Sequence, residues 1–137
     1  MNKRIQNKIE EAESFIAELE EIKPDNLEVY IKDLKTKAAC ERYAEKIAQS
    51  LIDLAFLVIK DRKFEPPEDE SGAFDILFNH KVISSDLRDN LQQAKGMRNI
   101  LAHEYGEVDD EIVFHAINEE LIGDGFEFTK IIKKLKL

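Results

Sequence analysis

Apolar residues recur along this chain at three- and four-residue spacing and almost never alternate, which predicts helices throughout. Ile5, Ile9, Ala12, Ile16 and Leu19 place an amphipathic helix over 4–22. Pro24-Asp25-Asn26 ends it, and Asp25 or Asn26 can cap the next helix through a side-chain oxygen. Leu27, Tyr30, Leu34, Ala38, Ile47, Leu51, Leu54 and Val58 then hold the period to about Lys60, predicting one long second helix. Its last turns, 51–59, are apolar nearly all round, as in a segment buried against several neighbours. Pro66 to Gly72 reads as a surface loop, and 73–79 as a short helix carrying Phe74, Leu77 and Phe78. Ser84 or Ser85 caps a further helix with Leu87, Leu91, Ala94 and Met97, running into His103, and Gly106 is placed to end it. Asp109 caps the last long segment, with Asp110 and Glu111 at its positive end. Gly123-Asp124-Gly125 predicts a break or kink before 126–137. The expected fold is all-α, an up-and-down four-helix bundle with an extra short helix, in a single domain over 1–137.

Composition sharpens this picture. The 137 residues include only 5 Gly and 3 Pro, against an average usage of roughly 12% for the two together. Such scarcity disfavours a sandwich or barrel, which needs frequent turns. Charged residues make up 36% of the chain and apolar ones 43%, the balance of amphipathic helices. Acidic residues outnumber basic ones 29 to 20, for a net charge of −9. A generic nucleic-acid coat and docking on anionic membranes are both disfavoured, so any nucleic-acid chemistry must come from a local site. The start, from Met1 to Lys8, lacks a signal-peptide stretch, and the longest apolar run, Leu54 to Ile59, is too short to span a bilayer. A single cysteine, Cys40, excludes an internal disulfide. A soluble, cytoplasmic protein is expected.

The stretch from Met97 to Gly106 gathers an Arg, an Asn, a His and a Tyr at a helix end. On an ideal helix Arg98 and Tyr105 share nearly one face, while Asn99 and His103 share an adjacent one. Arg98 and His103 lie about 140° apart round the axis and would not meet at one small ligand. They converge if the helix tightens or ends near His103, or if two chains meet across a two-fold axis. The chemistry of such a set is phosphodiester cleavage without metal. Histidine, titrating near about pH 6.5, can take the proton of a ribose 2′-hydroxyl or return one to the leaving 5′-oxygen. An arginine fork can hold the phosphate and offset the charge that develops on it. Each residue also has a plainer structural reading, as a salt-bridged Arg or a packed His.

The pattern of Arg98-Asn99, three residues, then His103-Glu104-Tyr105 resembles the signature of the HEPN superfamily, and in particular the HepT-like toxins. The similarity extends to 38–44, to 75–83 and to Val108-Asp109, and so covers about Ile5 to Phe126. The resemblance implies a four-helix bundle that forms a homodimer with two motifs facing one cleft, and metal-independent endoribonuclease activity on an RNA substrate, tRNA among the candidates. It implies pairing with an MntA-like nucleotidyltransferase antitoxin that transfers AMP to the motif tyrosine. Arg98 and His103 would then be catalytic, Asn99 supporting, and Tyr105 the AMPylation site. The competing reading is a non-catalytic helical binding subunit of a nucleotidyltransferase complex.

Other candidates carry less. His80, His103 and His115, the only histidines, are too dispersed for a local zinc motif, so no metal and no cofactor is expected. His80 and His115 read as surface or helix-end residues, and Cys40 as a small buried one. Asp109-Asp110-Glu111 reads as a helix first turn before it reads as a cation site. Lys130, Lys133, Lys134 and Lys136 form a basic tail that suits a solvated helix end or an RNA contact. No glycine-rich phosphate loop is present.

Overall fold

The computed structural model describes residues 2–103 and 108–135, and all of its regular structure is helical. Helix α1, Lys3–Ile22, starts where the Arg4 N–H donates to Asn2 Oδ1 at 2.8 Å. Its stripe of Ile5, Ile9, Ala12, Ile16 and Leu19 is buried in full. Asn26 caps α2, Leu27–Lys32, by accepting from the Val29 N–H at 2.8 Å.

The long second helix expected over 27–60 is instead two. Asp33 takes an extended conformation (φ −91°, ψ 92°) and accepts from the Thr36 N–H and Oγ1, starting α3 at Leu34–Arg62. An aspartate carboxylate satisfies exposed N–H groups better as a cap than inside a helix, so the apolar period runs on while the backbone turns. The turn lets α2 aim Tyr30 inward, where its ring lies 5.5 Å from that of Phe114. Lys63, left-handed at φ 59°, closes α3 by donating back to its last turn.

Helix α4, Glu70–Asn79, begins inside the stretch expected to be loop, because Asp69 accepts from the Gly72 N–H at 2.6 Å. Ser84, of the two candidates, caps α5, Ser85–His103, accepting from the Leu87 N–H at 3.1 Å. Asp109 caps α6, Asp110–His115. The chain then continues without interruption through a π-helical segment, Ala116–Leu121, into α7, Ile122–Lys134. The break expected at Gly123-Asp124-Gly125 is absent; the irregularity is the wider π turn just before it. Gly125 is there for closeness, since a Cβ would sit 2.8 Å from Cδ1 of the fully buried Ile16. The C-cap expected at Gly106 lies outside the described residues.

Helix α3 is the central rod. It packs on α1, α4, α5 and α7, as its nearly all-apolar end anticipates. Helix α7 closes against α1 and α5, and Phe74 of α4 meets Phe128 of α7 edge to face at 6.2 Å. Two short helices, α2 and α4, accompany the long segments where one was expected. Among the described residues no helix is long and apolar enough to cross a membrane.

Candidate active site

Helix α5 is fastened to the core by Leu87, Leu91 and Leu101, which fixes the rotation of its C-terminal half. That rotation turns Arg98 towards α3 and the start of α4, with its side chain only 12% exposed. Arg98 forms an ion pair with Glu70 through both carboxylate oxygens, Nη1 to Oε2 at 3.1 Å and Nη2 to Oε1. Its Nη1 also donates to Gln49 Oε1 on α3, and its Nε and Nη2 donate to Asn99 Oδ1, the former at 2.9 Å. Gln49 is itself oriented: its Nε2 donates to Asp53 Oδ1 at 2.9 Å, leaving its oxygen for Arg98. Asp53 in turn faces Lys8 of α1 at 3.5 Å. Three helices thus converge on one guanidinium, and α1 supports it at one remove through Lys8 and Asp53.

His103 is the last residue of α5 and is exposed. The helix stays α-helical from Arg98 to His103, so the two side chains leave it about 140° apart with about 7.5 Å of rise between them. Tightening of the helix, one of the two routes to convergence, does not occur over this stretch. Tyr105 lies outside the described residues. One turn before His103 on α5, Ile100 is 52% exposed, whereas the exposed Ile112 of α6 lines a cleft with Ala94, Met97 and Ala116.

The remaining candidates are occupied with structure. The His80 ring stacks on Phe64 at 3.7 Å and bonds Glu65 at 2.8 Å, while His115 lies 3.3 Å from Glu119. Asp110 pairs with Lys37 at 2.8 Å, and Lys133 of the basic tail pairs with Glu13 at 2.9 Å. Cys40 is buried, and burial, helped by the nearby Glu41 charge, pushes its thiol up to about 11. Among the described residues no group of three or more His, Cys, Asp or Glu is arranged to hold a metal ion.

The family model described as ribonuclease HepT-like matches residues 5–135. The chain belongs to the HepT-like ribonuclease family. It is 26% identical over 133 residues, 97% of its length and 98% of the relative's, to the mRNA nuclease HepT of Shewanella oneidensis. It is 25% identical over 114 residues, 83% of its length and 78% of the relative's, to the tRNA nuclease HepT of Aphanizomenon flos-aquae. The solved structure of a tri-AMPylated Shewanella oneidensis HEPN toxin in complex with MNT antitoxin has the same fold, with a TM-score of 0.91 at 26% identity. It covers 98% of this chain and 100% of that one.

In this HepT-like chain two site residues escape a reading of the sequence. Glu70 sits in a run of acids that looks like loop, and Gln49 lies mid-helix among residues of unremarkable type. Neither has a local signal, because each earns its place through a partner 28 or 49 positions away.

Proposed function

We propose that this chain is a single-domain, metal-independent endoribonuclease toxin that works as a homodimer and is neutralised by a nucleotidyltransferase antitoxin. The observation that carries the reading is an arginine fork held by Gln49 and Asn99, on the same α-helix as an exposed His103, in a HepT-like chain. Since Arg98 and His103 diverge on one helix, a second chain completes the site: across a two-fold axis the His103 of one chain meets the Arg98 of the other. Two histidines then share the proton transfers. One accepts the 2′-hydroxyl proton as that oxygen attacks phosphorus; the other protonates the departing 5′-oxygen. The products are a 2′,3′-cyclic phosphate and a 5′-hydroxyl. Arg98 holds the non-bridging oxygens while charge builds on them.

Control falls to Tyr105. Its phenolic oxygen bonds to the α-phosphorus of ATP as pyrophosphate leaves and the phenolic proton passes to solvent, and the attached AMP adds a negative phosphodiester and a bulky base to the motif that carries Arg98 and His103. Kinship with nucleases named for mRNA and for tRNA, and likeness to a toxin seen AMPylated and bound to MNT antitoxin, support both parts. Cleavage of RNA by the purified full chain in EDTA tests the reading. His103→Ala is expected to lose about 10²–10⁴-fold and Arg98→Ala about 10²–10³-fold, with DNA inert and the wild type sedimenting as a dimer. Activity that survives both substitutions, or that EDTA abolishes, refutes the mechanism. A chain that binds the nucleotidyltransferase yet cuts no RNA is the binding subunit of the competing reading.

A further inference from the structure

We propose that Glu70 is an internal stand-in for the RNA phosphate, occupying the two Arg98 donors that a phosphodiester needs and thereby setting how tightly the site holds RNA. The proposal rests on the ribonuclease reading above. A guanidinium carries five N–H donors in a rigid fork, and the chain supplies an acceptor for every one. Asn99 Oδ1 takes the side formed by Nε and Nη2, and Gln49 Oε1 takes an N–H of Nη1. What remains is one N–H on each Nη, side by side at the end of the fork, and Glu70 fills both with its two oxygens.

That end-on pair is the one suited to the two non-bridging oxygens of a phosphodiester. Carboxylate and phosphodiester each bring one negative charge, so they compete for the same donors and repel one another. The other two acceptors are neutral amides and can stay in place when RNA arrives. Asn99 and Gln49 are therefore positioning residues, the latter steadied by Asp53, whereas Glu70 must yield. It is built to do so. Its side chain is 34% exposed, against 12% for Arg98, and it stands at the first residue of α4, whose cap is the neighbouring Asp69. Releasing Arg98 costs the helix start nothing. In a chain of net charge −9, this pairing also removes the local positive charge that would draw RNA in.

The test is binding of a fluorescein-labelled single-stranded oligoribonucleotide to full-length chains, each carrying His103→Ala so that the probe stays whole. Glu70→Gln is expected to bind roughly 2- to 5-fold more tightly, the range for losing one partly exposed competing ion pair. Its log–log salt slope is expected to steepen by about 0.7, one further net charge against a single strand. Gln49→Met, which loosens the fork without touching Glu70, is expected to weaken binding. In cleavage by chains with His103 intact, the gain from Glu70→Gln appears in KM. Binding by Glu70→Gln that is unchanged or weaker, with the salt slope unmoved, overturns the proposal and makes Glu70 a further prop for Arg98. If the wild type cleaves RNA and Glu70→Gln binds no tighter, only the role of Glu70 falls. If neither chain binds or cleaves RNA, the ribonuclease reading falls with it.

Discussion

Gly123 and Gly125 lie two residues apart on one continuous helix, and alanine at each is expected to act with opposite sign. An alanine Cβ at position 123 meets nothing within 4 Å, so Gly123→Ala brings only the helix-propensity gain of about 0.8–1 kcal/mol. At position 125 the same Cβ would lie 2.8 Å from Ile16 Cδ1 and 3.8 Å from Leu51 Cδ1. Ile16 is fully buried, so its tip can withdraw only by disturbing its neighbours, an overpacking cost of about 1–3 kcal/mol. Subtracting the propensity gain leaves Gly125→Ala destabilised by up to about 2 kcal/mol. The two variants should differ by about 1–3 kcal/mol. For a chain of 137 residues each kcal/mol moves Tm by roughly 3–4 °C. Thermal and urea unfolding followed by circular dichroism resolve that difference. A second variant isolates the cause. Ile16→Val deletes Cδ1 and leaves Cγ1 at 3.7 Å, an ordinary contact. Alone it costs about 0.5–1.5 kcal/mol; combined with Gly125→Ala it should recover most of the clash, a coupling of about 1–2 kcal/mol. Gly125→Ala that stabilises as much as Gly123→Ala, or costs at 16 and 125 that merely add, refutes the close-approach argument.

Two further outcomes are expected. Tyr105→Phe should cleave RNA as before but escape inhibition that depends on the antitoxin's transferase activity, and mass spectrometry after co-expression should find AMP on the wild-type peptide holding Tyr105. Neutralisation with that peptide unmodified contradicts the assignment. Cys40 should resist thiol reagents in the native state and react once the chain is unfolded in urea, because burial holds its thiol up at about 11, above the usual 9.0. The folded state resists forming the thiolate, so the stability linked to Cys40 is complete below about pH 9 and lost as pH rises through about 11; a Cys40→Ala chain should lack that alkaline loss.

The fold was legible where burial follows a helical period, and less so where one side chain redirects the backbone. The stripe from Ile5 to Leu19 and the nearly all-apolar 51–59 each identify a buried face, because burial and periodicity are the same fact seen twice. Asp33 is different. Nothing in the spacing of Tyr30, Leu34 and Ala38 reveals that its carboxylate caps Thr36 and parts α2 from α3. Gly123-Asp124-Gly125 misleads in the opposite direction. Glycine is read as a breaker when its neighbours are unknown, yet Gly125 is held in the helix by the need of Ile16 for space, a tertiary fact. The π segment at 116–121 ends at buried Leu121, having kept Ile117 buried as well, and its extra width has no marker in composition.

The candidate site divides along the same line. Arg98, Asn99 and His103 are visible because they lie within one turn and a half of a helix and because that spacing has a chemical meaning. What the spacing leaves out is the state of Arg98, and that state decides what the site does at rest. A free arginine on a bundle surface would be a standing invitation to any phosphate; this one is closed on every donor by Asn99, Gln49 and Glu70. Of those three, only Asn99 is a neighbour in sequence. The other two arrive because Leu87, Leu91 and Leu101 dock α5 against the core and aim Arg98 at α3 and α4. An acidic chain and a ribonuclease site are therefore compatible: the positive charge the chemistry needs is present, held neutral by Glu70 until a phosphate competes for it.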